Sequence, residues 1–314
     1  MVRYILRRLL LVIPVIISVA IIIFTIMYFA PGDPAVAILG SSATQADIEE
    51  LREAMGLNKP YIVRLGCFLR DTFLHFDLGT SYVYKVPVTK ELLNRLPRTL
   101  LIAVICIVVQ ALVGTPLGIM AALHHNKLGD RISMLLALIG VSIPPFWLAL
   151  MLIIVFSVKL GWLPSYGIGS FKNYILPCIA NCFAGIATQA RQTRSSMLEV
   201  IRSDYIVTAR AKGLSERDIL YRHALPNALI PLITVLGNGF SVMLGGTLII
   251  ETVFSIPGIG TYMMSAINNR DYPVVQGSVI ILAIATCLIM LVVDILYAFI
   301  DPRIKAQFEG KAGR

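Results

Sequence analysis

The sequence predicts an all-α integral membrane protein with six transmembrane helices and an extended extracytoplasmic segment after the first of them. Two observations carry this expectation. The 314 residues are 57% hydrophobic and only 14% charged, with a mean hydropathy of +0.80, whereas a soluble domain of this length is about a quarter charged. The apolar residues also gather into runs near the roughly 20 residues that a helix needs to cross a bilayer. The runs lie at 9–30, 99–122, 133–158, 174–192, 229–250 and 277–300. The net charge of +9 falls between them, which reads as topology signal and lipid-headgroup contact, not nucleic-acid binding.

The first run, Leu9 to Ala30, exceeds the apolar core of a secretory signal. The Pro-Gly-Asp-Pro that follows offers no small-residue cleavage site, so it reads as a retained span. The fourth, YILPCIANCFAGIATQARQ, is the most polar. Asn181, Thr188 and Gln189 suit a helix enclosed by others better than one facing lipid.

An even number of spans puts both ends on one side. Arg3, Arg7 and Arg8 precede the first span, and Arg303, Lys305, Lys311 and Arg314 follow the last. The stretch from Arg191 to Arg222 carries seven Lys or Arg, while the short loops opposite hold only Lys159, Lys172 and Arg270. Basic loops stay inside, so both termini and residues 191–228 are expected in the cytoplasm. The 31–98 segment is too long for that rule, and its eight basic residues are balanced by eight acidic ones.

That segment has local structure. Thr44-x-x-Asp47 forms a capping box, Ile48, Leu51 and Met55 follow at helical spacing, and Gly56 with Pro60 ends the helix. YIVRLGCFLRDTFLHF then puts Ile62, Leu65, Leu69 and Phe73 on one face. Such a helix lies along the membrane surface or covers the outer mouth of the protein, or else belongs to a solvated linker.

The five cysteines give no disulfide framework. Cys106, Cys178, Cys182 and Cys287 sit in apolar runs, where a thiol acts as a small hydrophobe, and Cys67 stands apart in a polar loop. Cys178 and Cys182 share a helix face without neighbours to complete a metal set. The adjacent His124 and His125 diverge on a helix, so no metal site is expected there either.

The segment TARAKGLSERDILYRHALPNA, residues 208–228, lies between two strongly apolar runs. Its helical pattern begins near Ser203 and stops at Gly213, a residue suited to the left-handed position after a helix. Ser215-x-x-Asp218 caps a second helix, and Pro226 marks a further break before the fifth span. Thr208, Ala209, Ala211 and Gly213 are small enough for another backbone to approach. Arg202, Asp204, Arg210, Lys212, Glu216, Arg217, Asp218 and Arg222 form a charged rim. These residues fit either a docking surface or a solvated connecting loop.

The segment resembles the cytoplasmic loop motif of permease subunits of ATP-binding-cassette importers: Glu-Ala-Ala, three residues, Gly, nine residues, Ile-x-Leu-Pro. Gly213 matches the glycine, Leu225-Pro226 falls at the required spacing, and Thr208-Ala209 occupies the alanine positions. Val207 stands in place of Glu and His223 in place of Ile. TARAKGLS…RHALPNALIP is how the peptide/nickel branch reads. RRLLLVIPV…FAPGDP, PRTLLIA, GTPLGIMAAL, SIPPFWLALMLIIVFSVKLGWLP, GGTLIIETVFSIPGIG, DYPVVQG and DILYAFIDPRIK are similar to its first permease subunit, in order along the chain.

The resemblance implies a type I importer permease fold. Residues 1–30 would form an N-terminal membrane helix, 31–98 an extracytoplasmic segment, 99–300 the permease core with its coupling loop at 191–228, and 301–314 a cytoplasmic tail. It also implies that the coupling helix seats in a groove of an ATPase subunit. Tyr205, Thr208, Ala209, Ala211 and Lys212 would make that contact, with Gly213, Leu214, Leu225 and Pro226. Implied partners are a second homologous permease, two ATP-binding subunits, an extracytoplasmic substrate-binding protein and membrane lipid, in a bacterial or archaeal cytoplasmic membrane. The cargo would be short peptides, with nickel, a metal–chelator complex or a small oligosaccharide as alternatives. No G-x-x-x-x-G-K-[ST] occurs in the chain, so it holds no Walker loop for ATP phosphates. ATP and Mg2+ would be used by the partner ATPase, and this chain itself is expected to bind no cofactor.

Three polar positions remain. Asp294 lies within the sixth span, where an ionisable group is a functional candidate; its closeness to Asp301-Pro302 favours a structural pair near the cytoplasmic face. Glu251 ends the fifth span before Pro257-Gly258-Ile259-Gly260 and serves either as a cap or, with Asn238 and Met243, as part of the pathway or gate. Gly237 and the Gly245-Gly246 pair fit close packing against a neighbour. An intramembrane enzyme would need a second intramembrane aspartate or a mid-span histidine as base, and the spans offer neither. A sensor or structural anchor would leave the coupling segment unexplained.

Overall fold

A computed structural model describes residues 2–40 and 43–300; the tail from Asp301 lies outside the described residues. The secondary structure is helical throughout, and among the described residues the one β-bridge pairs Thr80 with Pro87. After α1 (Val2–Phe29) come three short helices, α2 (Pro34–Leu39), α3 (Gln45–Ala54) and α4 (Tyr61–Leu74). Then α5 (Val88–Val109) runs through a π turn at Gln110–Gly114 into α6 (Thr115–Leu123). α7 (Leu128–Ser142) and α8 (Pro145–Leu152) follow, α8 ending in a π segment at Ile153–Lys159. The long α9 (Lys172–Ile201) precedes α10 (Asp204–Ala211), α11 (Glu216–Asp218) and a π turn at Ile219–Ala224. The chain closes with α12 (Leu225–Val253), α13 (Ile259–Asn268) and α14 (Tyr272–Ile300).

Four stretches are long and apolar enough to cross a membrane on their own: Arg8–Phe29, Val88–Leu123, Pro231–Val253 and Tyr272–Ile295. α7 and α8 with its π segment make a fifth only if their 97° bend falls within one span. The sequence ran this span straight through 133–158. The break comes at Ile143, extended at φ −80° and ψ 120°, because Pro144 and Pro145 donate no hydrogen bond and bar the preceding residue from helical geometry.

α9 has the length of a span but not the composition of those four. It packs against α5, α6, α7, α8 and α12, so its polar side chains meet protein. Asn181 Nδ2 donates to Thr247 Oγ1 at 3.1 Å, and Gln189 Nε2 to Thr115 Oγ1 at 3.2 Å. Around it the core is built from Ile102, Leu176, Met243, Ile250 and Phe254. Cys106 of α5 joins Cys178 and Cys182 there, its thiol donating to the Cys178 carbonyl at 3.6 Å. No group of three potential metal ligands occurs among the described residues.

The bundle has two distinct ends. At one, α1 begins beside the end of α14, and Arg8 Nη1 lies 2.9 Å from Asp294 Oδ2. Asp294 thus pairs with α1. At the other end the 31–98 segment folds back on the helices. Its capping box forms, with the Asp47 amide donating to Thr44 Oγ1 at 3.2 Å and the Thr44 amide to Asp47 Oδ2 at 3.2 Å. α4 lies against α1, where Phe24 and Phe68 stack with centroids 5.2 Å apart. Its inward face differs by one step from the expected stripe: Leu69 and Phe73 pack inward beside Phe68, while Ile62 is exposed. The turn at Ser81–Val83 is pinned by buried Asp271, which accepts from Ser81 Oγ at 2.5 Å, the Tyr82 amide at 3.0 Å and the Val83 amide at 3.3 Å.

Glu251 holds this end together. Its carboxylate is fully buried and accepts from Thr99 Oγ1 at 2.6 Å, the Gly260 amide at 2.7 Å and the Thr261 amide at 3.4 Å. The last two belong to the first turn of α13, where free N–H groups and the helix dipole favour a negative partner. The approach is so close that a β-carbon on Gly258 would overlap the carboxylate. Glu251→Gln turns a donor toward at least one of these N–H or O–H groups, at a cost of about 1–3 kcal/mol. Thermal unfolding of the detergent-purified chain is the measurement, and an unchanged midpoint would rule out this bracing role.

Candidate functional site

The polar segment at 202–224 lies at the end where Arg8 meets Asp294, beside the close of α6 and α9. α10 starts after Ser203, whose extended backbone at φ −74° and ψ 150° breaks the line of α9. It stops in a Schellman turn: the Gly213 amide donates to the Arg210 carbonyl at 2.9 Å and the Leu214 amide to the Ala209 carbonyl at 3.4 Å. Gly213 sits at φ +79°, the left-handed position where a β-carbon is disfavoured. Ser215 then caps α11, accepting from the Asp218 amide at 3.1 Å.

The segment stands on an apolar foot. Ile206, Ala209, Ile219, Ala224 and Ala228 pack with Met197 of α9 and Ala122 of α6. Ala209 therefore faces the bundle, and Leu225 is half-buried against the same cluster. Thr208, Ala211, Lys212, Gly213 and Pro226 are exposed. So are four large side chains: Tyr205 at 45%, Val207 at 57%, Leu214 at 41% and Tyr221 at 57%. A β-carbon at Gly213 would meet no atom within 4 Å. Nothing inside the chain requires smallness at this corner beyond its backbone angle. Val207 and Tyr221 escaped the sequence reading because their exposure depends on how the turn is tilted, not on periodicity.

Across the corner Arg210 donates to Glu216 through Nε at 2.7 Å and Nη2 at 3.2 Å. The guanidinium holds the Glu216 carboxyl below its ordinary range, and the carboxylate raises Arg210 in turn. The pair is solvent-facing, so its contribution is small and screened by salt. Its service is geometric, linking α10 to α11 across residues 211–215.

Pro226 does not break the chain as expected. The π turn at 219–224 runs into α12 without interruption, the Leu225 amide donating to the Leu220 carbonyl five residues back. A widened turn gives the proline ring, which has no N–H and would clash in an α-helix interior, the room it needs.

Behind the foot lies a polar bracket that no local pattern announced. Asp130, 2% exposed, accepts from Arg194 Nε at 2.5 Å and Nη2 at 2.7 Å, and from the Asn126 amide at 2.9 Å. His125 adds itself between guanidinium groups, with Nδ1 3.0 Å from Arg194 Nη2 and Nε2 3.4 Å from Arg202 Nη2. The α6–α7 turn is thereby bound to α9 eight residues before Arg202, where the polar segment begins.

The remaining predicted positions separate. Met243 is buried in the central core, while Asn238 is exposed on α12. Val242, Gly245 and Ile249 continue that exposed face at helical spacing.

Residues 114–306 match the family described as the binding-protein-dependent transport system inner membrane component, and residues 1–103 match its N-terminal region. The chain belongs to this family. It is a permease subunit of an ATP-binding-cassette importer, a transport component and not a catalyst, and it works with ATPase and substrate-binding partners. The permease is 43% identical to the dipeptide transport system permease protein DppB of Alkalihalophilus pseudofirmus, over 97% of this chain and 100% of that one. It is 41% identical to the glutathione transport system permease protein GsiC of Salmonella choleraesuis, over 97% of this chain and 99% of that one. In fold it is similar to a chain of the inward-facing methionine transporter MetNI. The TM-score is 0.57 at 20% identity, over 67% of the permease and 96% of that chain.

Proposed function

We propose that this permease forms one half of a translocation path for short peptides and takes its energy from an ATPase seated on the 203–228 segment. The observation that carries this is the Gly213 corner, which presents Tyr205, Val207, Leu214 and Tyr221 as exposed side chains outside the apolar spans. Thr208, Ala211, Lys212 and Pro226 share the contact; Ala209 and Leu225 serve it from beneath by anchoring the segment. ATP is cytoplasmic, so this end and both termini face the cytoplasm, with six crossings that include α9 and the bent α7–α8 pair. ATP and Mg2+ belong to the partner.

A second permease completes the path. Asn238 is exposed in the middle of an apolar helix, an arrangement that is costly against lipid and stable against water or another protein. It is the residue proposed to line the path, while Glu251 and Met243 support it from within the bundle. The relatives named for dipeptide and glutathione transport favour peptide over a metal–chelator or oligosaccharide cargo. The test is to purify the tagged chain from its native membrane in mild detergent, identify what accompanies it, and reconstitute that assembly for uptake. A second permease, Walker-containing ATPases and ATP-driven uptake of labelled dipeptide are expected. Isolation of the chain alone would overturn the docking assignment, and uptake of a nickel chelate without dipeptide would overturn the cargo.

A further inference from the structure

At the end opposite the docking segment, a cavity of about 490 Å3 opens between α1, α4, the 77–85 loop and the start of α14. That volume is in the range of small-ligand sites. No residue of α9 or α12 lines it, so it lies off the centre of the bundle. Its position relative to the apolar layer is set by two helices. Phe24 stands five residues before the end of α1, roughly 7.5 Å below it by helical rise, and Gln276 stands in the second turn of α14. The cavity therefore straddles the boundary where apolar spans give way to polar chain, with Tyr28 and Tyr272 at the level favoured by interfacial tyrosines.

The wall is divided by chemistry. Phe24, Met27 and Phe68 form an apolar side. Arg64, Lys59 and Lys85 bring three positive charges to the lining, against Asp71 and Asp77. Asp71 is already engaged by Arg70 Nη2 at 2.8 Å and His75 Nδ1 at 3.4 Å, which leaves the basic groups in excess. The Arg64 guanidinium is held 5.2 Å above the Tyr28 ring and gives one N–H to the Leu57 carbonyl at 3.4 Å. With five N–H donors, it retains others for a ligand. Burial pushes the Tyr82 phenol up to about 12, so this lining residue remains a hydrogen-bond donor.

We propose that this cavity binds a phosphate group, and that the phosphate is the headgroup of a bilayer phospholipid. Arg64, Lys59 and Lys85 take the phosphate, and Phe24, Met27 and Phe68 take the first carbons of its tails. Charged donors above an apolar wall at the membrane boundary match a molecule with both parts. Free inorganic phosphate would use only the first. Ile22, Ile26 and Phe29 leave the neighbouring face of α1 exposed and apolar, a surface suited to lipid beside the site. The 31–98 segment, on this reading, builds a lipid seat.

The experiment is native mass spectrometry of the purified transporter complex, titrated in separate arms with phosphatidylglycerol, phosphatidylethanolamine and inorganic phosphate. Arg64→Gln with Lys85→Asn is the site variant, and Lys90→Asn, outside the cavity, is the charge control. Asparagine suits position 85 because Lys85 has a left-handed backbone, φ +56°. Lipid adducts are expected on the wild type and the control, and about a hundredfold weaker on the site variant, roughly tenfold for each of the two charge-assisted contacts removed. If the double variant fails to assemble, Lys85→Asn alone is expected to weaken the adduct in the same direction. Equal lipid retention by site variant and control would overturn the proposal. Phosphate binding without lipid retention would overturn the lipid source.

Discussion

Gly213→Trp is expected to leave the permease inserted in the membrane at near wild-type level and to abolish ATP-driven uptake. At its β-carbon the substitution meets no atom of this chain within 4 Å, and Gly213 itself is exposed. The backbone part of the cost comes from the left-handed conformation at φ +79°, about 1–2 kcal/mol for a residue with a side chain. That strain is separable from bulk by Gly213→Asn, which tolerates the same conformation and is expected to retain most uptake. The indole instead projects beside the Arg210–Glu216 pair into the space that the proposed docking reserves for a partner backbone. Three measurements decide it: permease level in the membrane fraction, ATP hydrolysis by the reconstituted complex, and substrate moved per ATP. Hydrolysis without transport, or loss of the ATPase from the complex, is the expected result. Normal uptake by the Trp variant would sink the docking assignment.

Asp130→Ala is expected to be the most destabilising single change at the end that carries the Gly213 corner. The carboxylate is 2% exposed and holds two nitrogens of Arg194 and the Asn126 amide. Its removal leaves a guanidinium that is mostly enclosed without a counter-charge, and breaking such a pair costs about 3–5 kcal/mol. Asp130→Ala combined with Arg194→Leu removes both charges, and the double variant is expected to be more stable than Asp130→Ala alone. Thermal unfolding in detergent reads this directly. Additive losses would show that the two groups act independently.

The sequence carried the features that are written locally. The Gly213 corner, the Ser215 cap and the Thr44–Asp47 box each follow from a few adjacent residues whose preferences do not depend on the rest of the fold. Features that join distant segments were not legible. Asp130 and Arg194 are separated by 64 positions, and Asp271 and Ser81 by 190; no periodicity links such pairs. The same holds for Cys106 beside Cys178 and Cys182. Glu251 was legible as a residue and not as a role, because its partners Thr99, Gly260 and Thr261 come from two other elements. Two errors have a different origin. A hydropathy average passes over Pro144-Pro145 because both flanks are apolar, although the proline pair is itself a breaker. Pro226 erred in the other direction, since a π turn admits a proline that an α-helix would reject.

The π turn at 219–224 also gives meaning to the distance, counted in residues, between Gly213 and Leu225-Pro226. A π turn closes its hydrogen bonds one residue later than an α turn, so it holds one residue more within the same turn. In regular α-helix an added or removed residue is worth about 100° of rotation for about 1.5 Å of length. Deleting one residue between 219 and 224 would therefore let the turn close as α-helix and leave the face that carries Asn238 pointing as before, at the expense of the room that Pro226 uses. Deleting one residue from the regular helix between Pro226 and Asn238 would instead turn that face by more than a quarter circle. The turn acts as a slack link that stores a residue without twisting the shaft.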